Sequence, residues 1–466
     1  MLSYFRLNDP LRLFVTYFII LVIRIPYYLS DWVPNGQNIR FFILGEKVGN
    51  GNWLFNEIYT TMGPLEGWLY AVLFVIFGKS LFIHHLLSFL LICFQSYLFN
   101  KVFNDNKATT EQTYIPGLIY GLLMSLSPQF YILSPLLVGQ TLILVALNIL
   151  FNHLEFRIKR DEGILSVGII MGIYSLMFFP GVILAVFALI ILLIFTNTAY
   201  RRYILLIFGF LIPFLLVLGI YIFFNEFEEM NFMQGSLFGE NIFPIVSFKL
   251  YLVAFLPAFF FVIAIFAIIA RGRYTNFQST LIQTMFFWLI GSVIAYFANV
   301  DYGIDALILL IIPFAFFLSH YFILLGRKSS GEAIFIFFFI VAIAVNVVQW
   351  NTPEVLKAYL DDESERTDMN IAIPEGSKIL FLGPGYEIYH KMTHGSNFLD
   401  WKLSKEILES PNNISSIESV FVGIKDDYPD FIIDPNDYLK HFLSRIPELD
   451  QKYELLPEGK VYKRVN

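Results

Sequence analysis

The feature that most constrains this chain is a series of long apolar segments with basic clusters at alternate ends. Residues 13–29, 81–102, 114–126, 141–153, 164–179, 182–196, 203–224, 250–270, 281–297, 307–325 and 333–348 read as membrane spans, about eleven in all. Only 15% of the residues are charged, against about 25% in an average soluble domain. The mean hydropathy is +0.65 and aromatic residues make up 18%. These values place the chain among polytopic α-helical membrane proteins. The formal net charge of -7 is spread along the chain and points to no partner class, and no nucleic-acid partner is expected.

Basic residues orient the spans. Arg6 and Arg12 flank the first. Arg157, Lys159 and Arg160, then Arg201 and Arg202, Arg271 and Arg273, and Arg327 and Lys328 mark later turns on one side. The positive-inside rule puts these turns and the N-terminus in the cytoplasm of a plasma (inner) membrane protein, and an odd number of spans then puts the C-terminal part outside. No small-x-small cleavage pattern follows the first apolar run, which reads as a retained span. The single cysteine, Cys93, excludes an intramolecular disulfide and a paired-cysteine metal site.

The domain organisation follows. Residues 1–349 form a transmembrane domain, and residues 350–466 a small extracytoplasmic α/β domain. In the latter, 378–382, 419–422, 430–434 and 460–464 read as strands, and 386–392, 403–408 and 437–445 as helices. Residues 31–80 form a long first outer loop. Its apolar stretch 65–77 is too short to cross about 30 Å of hydrocarbon upright and reads as an interfacial helix with Trp68 and Tyr70 at headgroup level. A short tilted span is the alternative, but it would move the later basic clusters to the other side.

The order of features in that loop resembles the GT-C integral-membrane glycosyltransferases, which use polyprenyl-phosphosugar donors. The residues that carry the resemblance are Gly51-Asn52-Trp53, Gly63-Pro64-Leu65-Glu66-Gly67-Trp68 and Phe77-Gly78-Lys79-Ser80, set between a first span and the next long one. The resemblance covers roughly residues 10–200 and is one of pattern. It implies transfer of a sugar from a polyprenyl-phosphate donor at the outer face of the membrane. The partners implied are membrane lipids, that lipid-linked donor, and envelope proteins met through the C-terminal domain. The cofactor stays open; a divalent cation on the donor phosphate is one choice.

The chain departs from the family pattern at three positions. The acidic motif early in the first loop falls on Asn35, Gly36 and Gln37. The stretch 127–140, where a second acid is expected, contains none. Met62 and Gly63 stand where a basic residue or histidine precedes the proline turn. Such a transfer needs a carboxylate base and cations for the lipid phosphate. Asp31 and Glu46 are the candidate catalytic residues; Arg24, Arg40, Glu57, Glu66 and Lys249 are the candidate substrate-binding ones. Against each carboxylate stands the plain reading of a solvated loop charge. Against Arg24 stands snorkelling to the headgroups. His84 and His85 read as an interfacial pair before a metal site, and Glu226, Glu228 and Glu229 as a solvated acidic loop before a cation site. Gly383-Pro384-Gly385 reads as a tight turn before a phosphate loop. The missing acids keep a second reading open, a non-catalytic GT-C-like scaffold or lipid-binding subunit of an envelope assembly. A transporter ranks last: it calls for ionisable or helix-breaking residues near the midplane, and the spans are mostly apolar with prolines near their ends.

Overall fold

A computed structural model of the protein describes residues 1–29, 36–154, 161–196, 200–224, 248–298, 304–326, 329–350, 373–456 and 460–465. In chain order the first helices are α1 (Leu2–Phe5), α2 (Leu11–Tyr28), α3 (Gly36–Gly49), α4 (Pro64–Phe77), α5 (Leu81–Asp105), α6 (Ile115–Leu123) and α7 (Pro135–Leu154). There follow α8 (Asp161–Met177), α9 (Gly181–Phe195), α10 (Tyr200–Phe223), α11 (Phe248–Arg271), α12 (Asn276–Phe297), α13 (Ile308–Leu324) and α14 (Ser329–Trp350). The C-terminal part contains β1 (Lys378–Phe381), β2 (Thr393–His394), α15 (Trp401–Leu408), α16 (Ile414–Lys425), β3 (Phe431–Ile433), α17 (Tyr438–Leu443), α18 (Pro447–Asp450), β4 (Tyr453–Leu455) and β5 (Val461–Arg464).

Two compact units emerge. The first takes Met1–Trp32, Ser80–Gly219 and Leu237–Leu360; the second takes Val33–Lys79, Ile220–Ser236 and Asp361–Asn466. The loop helices α3 and α4, grouped with the membrane segment in the sequence reading, thus cluster with the C-terminal residues.

The first unit is a helical bundle. Among the described residues eight helices are long and apolar enough to cross a membrane: α2, α5, α7, α10, α11, α12, α13 and α14. The remaining three expected spans are shorter. α6 has 9 residues, α8 17 and α9 15, which at the α-helical rise is about 14, 26 and 23 Å. Ser127-Pro128 follows α6, and every residue of α6 is buried, so packing rather than length holds it. The centre of the unit is α13. It is apolar all round, and its span is 94% buried, as expected for a helix with protein on every side.

The second unit joins a helix pair to a mixed sheet. α3 and α4 approach so closely at Gly45 that a Cβ there would lie 2.7 Å from the carbonyl oxygen of Tyr70. Phe41 stacks on Tyr70 beside it, with centroids 5.1 Å apart. The 14-residue α4 starts at Pro64 behind Gly63, with Glu66 in its first turn. The sheet runs β2-β1-β3-β5-β4. β1 pairs in parallel with β2 and β3, and β5 antiparallel with β3 and β4. Leu380, Ile432, Val420, Ile424, Leu439 and Phe442 form its core. Tyr59 of the loop bridges to Phe398: its amide donates to the Asn397 carbonyl (2.8 Å), and its own carbonyl accepts from the Asp400 amide (3.0 Å).

Two local expectations are corrected. Residues 419–422 belong to helix α16 and not to a strand. Its buried residues Ser416, Val420, Gly423 and Ile424 follow helical spacing, and Asn413 caps its start by accepting from the Ser415 amide; that period and cap override the β-branched composition. Residues 386–392 form only a single 3-10 turn, Glu387–His390.

Candidate functional site

Along α2 the residues facing the bundle interior are Thr16, Ile20, Arg24 and Tyr27, spaced four, four and three apart. Helix geometry therefore turns Arg24 inward. Its side chain is fully buried (0% exposed) and lies inside the bundle, not along its lipid-facing side. Nη1 donates to Ser88 Oγ on α5 (3.2 Å) and to Tyr28 Oη (3.3 Å). The guanidinium carbon sits 4.2 Å from the ring centroid of Tyr131. Nε and Nη2 are buried with no hydrogen-bond acceptor among the described residues.

Aromatic rings and His85 complete this end of the bundle. Tyr27 meets Tyr131 edge-on at 5.1 Å and His85 at 5.4 Å. His85 Nδ1 lies 3.0 Å from the Tyr131 carbonyl oxygen. A carbonyl only accepts, so Nδ1 carries the proton. Asp305, just ahead of α13, is 2% exposed and within electrostatic range of Tyr27. In the sequence Asp305 falls in the short connection between the expected spans 281–297 and 307–325. The signal that could have found it is a lone carboxylate directly ahead of the apolar run 306–318.

Lys249 belongs to α11 in the same unit, and its side chain lies outside the described residues. Asp31 also lies outside them, as do Glu226, Glu228 and Glu229. Among the described residues no group of three or more His, Cys, Asp or Glu side chains is placed to hold a metal ion.

The other candidates lie in the second unit, each with a protein partner. Arg40 Nη2 contacts Asp400 Oδ2 at 2.8 Å, with the two side chains 4% and 3% exposed. Thr61 Oγ1 accepts from Arg40 (2.7 Å) and donates to Asp400 (2.6 Å). Glu46 pairs with Lys79 at 2.6 Å. Glu57 accepts from the Trp53 amide (2.7 Å), closing its own turn. Glu66 is buried and accepts from the Gly63 amide (3.3 Å) in a helix-start contact.

A second charged cluster surrounds Asp427. Lys47 Nζ lies 3.2 Å from its carboxylate, and Lys378 contacts the other oxygen. Burial lowers the Lys47 pKa and outweighs the raising effect of Asp427. For Asp427, burial acts upward, but the hydrogen bond from Lys378 and the charge of Lys47 together hold its carboxyl below the usual value. His394 is buried close by, and burial followed by the Lys47 charge pushes its imidazole down to about 3.

The His394 shift has a consequence for stability. An unfolded histidine titrates near 6.5. The folded one stays neutral until about pH 3. Its contribution is complete above about pH 6.5 and is lost progressively as the pH falls toward 3, because only the unfolded chain gains the proton in that window. The unfolding temperature of the second unit should therefore fall from pH 7 to 4.5, and His394→Gln should flatten that slope. Parallel slopes for parent and variant would rule this out.

No protein-family model and no curated protein matches the chain. Solved structures do. One is the archaeal oligosaccharyltransferase AglB from Archaeoglobus fulgidus, in complex with an inhibitory peptide and a dolichol-phosphate. It is 13% identical with a TM-score of 0.46, covering 97% of this chain and 74% of AglB. Another is ArnT from Cupriavidus metallidurans bound to undecaprenyl phosphate. It is 14% identical with a TM-score of 0.45, covering 94% of this chain and 87% of ArnT.

Proposed function

We propose that this chain is an integral-membrane glycosyltransferase that takes a sugar from a polyprenyl-phosphate donor at the outer face of the plasma membrane. The observation that carries this reading is Arg24, a fully buried cation inside an apolar bundle whose Nε and Nη2 have no acceptor among the described residues. An isolated charge in such surroundings is costly, and a phosphate is the partner that fits a guanidinium fork. In the reaction an acceptor hydroxyl attacks the anomeric carbon as the bond from that carbon to the phosphate oxygen breaks. The hydroxyl proton passes to a carboxylate. The bonding pair leaves with the lipid phosphate, whose charge Arg24 stabilises. Lys249 is a second phosphate candidate. Arg40, Glu57 and Glu66 are proposed for the sugar or acceptor side.

Asp31 and Glu46 remain candidates for the base, and Asp305 joins them because it is buried at the Tyr27 end of the bundle that holds Arg24. The test is transfer of labelled sugar from polyprenyl phosphate by the full chain, compared with Asp31→Ala, Glu46→Ala and Asp305→Asn. Loss of a general base should lower the rate at least about 100-fold. A parent without transfer would sink the enzyme reading, and full activity in all three variants would remove these carboxylates as the base.

One observation favours the second reading, a lipid-binding or scaffold subunit that meets envelope proteins through the C-terminal domain. Arg40, Glu46, Glu57 and Glu66 all have protein partners. Lipid binding without transfer is its expected result.

A further inference from the structure

Resting on the reading of Arg24 as the phosphate contact, we propose that Tyr131 is a positioning residue: its ring is a fixed floor that holds the guanidinium charge while leaving N–H groups for the ligand. Hydrogen bonds alone would hold Arg24 only by using up those donors. An aromatic face stabilises a cation through its quadrupole and takes up no N–H group. That is the arrangement found. The guanidinium carbon is 4.2 Å from the Tyr131 centroid, one nitrogen is engaged by Ser88 and Tyr28, and Nε and Nη2 keep no acceptor among the described residues.

The floor itself is clamped from several sides. Tyr131 is fully buried and ends the 3-10 turn Pro128–Tyr131. Its carbonyl accepts from His85 Nδ1 and Ser88 Oγ. Its hydroxyl donates to the Ser125 carbonyl (3.2 Å) and accepts from Asn346 Nδ2 of α14 (2.8 Å). Close by on α14, Gln349 holds Ser127 Oγ (2.7 Å) and the Leu126 carbonyl (2.8 Å) at the start of the turn. α14 thus grips both ends of the turn that presents the ring. With the hydroxyl committed on both its donor and acceptor sides, the face is the part of Tyr131 that meets Arg24.

The test separates this role from packing. The full chain in detergent is titrated with undecaprenyl phosphate and with undecaprenol, which lacks the phosphate, and the ratio of the two affinities is read. Tyr131→Phe is the reference for a series in which mono-, di- and trifluorophenylalanine replace residue 131. Fluorine drains the ring quadrupole at nearly constant volume. The ratio should fall stepwise along the series, by about tenfold in all. Tyr131→Leu should fall at least as far, and the fluorinated series decides the matter if that variant does not fold. A flat series, with Arg24→Gln still abolishing the ratio, overturns the Tyr131 proposal and leaves the phosphate reading standing. A parent with no preference for the phosphate, or an Arg24→Gln variant with the parental ratio, overturns both.

Discussion

Arg24→Gln is expected to lower affinity for undecaprenyl phosphate by at least about 100-fold while leaving undecaprenol binding within about threefold. Hydrogen bonds to charged groups contribute about 1.5–3 kcal/mol each, and two guanidinium nitrogens, Nε and Nη2, stand without an acceptor among the described residues. Arg24→Lys should recover only part of the loss, since an ammonium is a point charge without the planar fork. The second readout is stability without lipid. A buried charge with no carboxylate paired to it among the described residues is a burden on the empty bundle, so Arg24→Gln should unfold at the parental temperature or above it. A purely structural arginine predicts the reverse, a clear loss of thermal stability with the phosphate preference intact. Isothermal titration together with a thermal melt distinguishes the two, and that second outcome would remove the observation on which the functional reading rests.

The sequence revealed this residue for a physical reason. A charge inside an apolar run is conspicuous whatever the fold, and the spacing of Thr16, Ile20, Arg24 and Tyr27 is enough to turn it inward. Hydropathy likewise located the long spans and separated them from a charged C-terminal part. What stayed hidden is what depends on distant partners. Asp400 pairs with Arg40 across 360 positions, and no local pattern marks either as belonging to the other. Asp427 collects Lys47 and Lys378 in the same way. Tyr131 was invisible as a floor for Arg24, because a tyrosine after Ser-Pro in an apolar region reads as ordinary packing. The two-residue β2 and three-residue β4 are too short to leave a period. Residues 419–422 were misread because three β-branched or aromatic residues outweighed the helical spacing that extends beyond them.

The other large effect is expected at the Arg40–Asp400 pair, where Asp400→Ala should destabilise the second unit by about 3–5 kcal/mol, the usual range when one partner of a buried ion pair is removed. Both side chains are almost completely buried, and Thr61 bridges them with one hydrogen bond to each. The pair ties α3 to the residue that precedes α15, next to the Tyr59 bridge, so its loss should release the loop helix from the sheet domain. Hydrogen exchange of the full chain measures this directly: peptides from α3 and α15 should lose protection together, while those from α13 keep theirs. The double variant Arg40→Leu with Asp400→Leu should recover most of the protection, because replacing a buried pair with apolar groups is often neutral or stabilising. The same series tests Arg40 as a substrate ligand. If Arg40 serves the sugar and Asp400 only orients it, Asp400→Ala should leave exchange unchanged and raise KM for the donor. If the pair is a staple, protection falls first, and the apolar double variant restores it without any charge at position 40. That restoration is what a ligand-binding arginine would not allow to coexist with parental donor affinity, so exchange and affinity measured on one variant decide between the two roles.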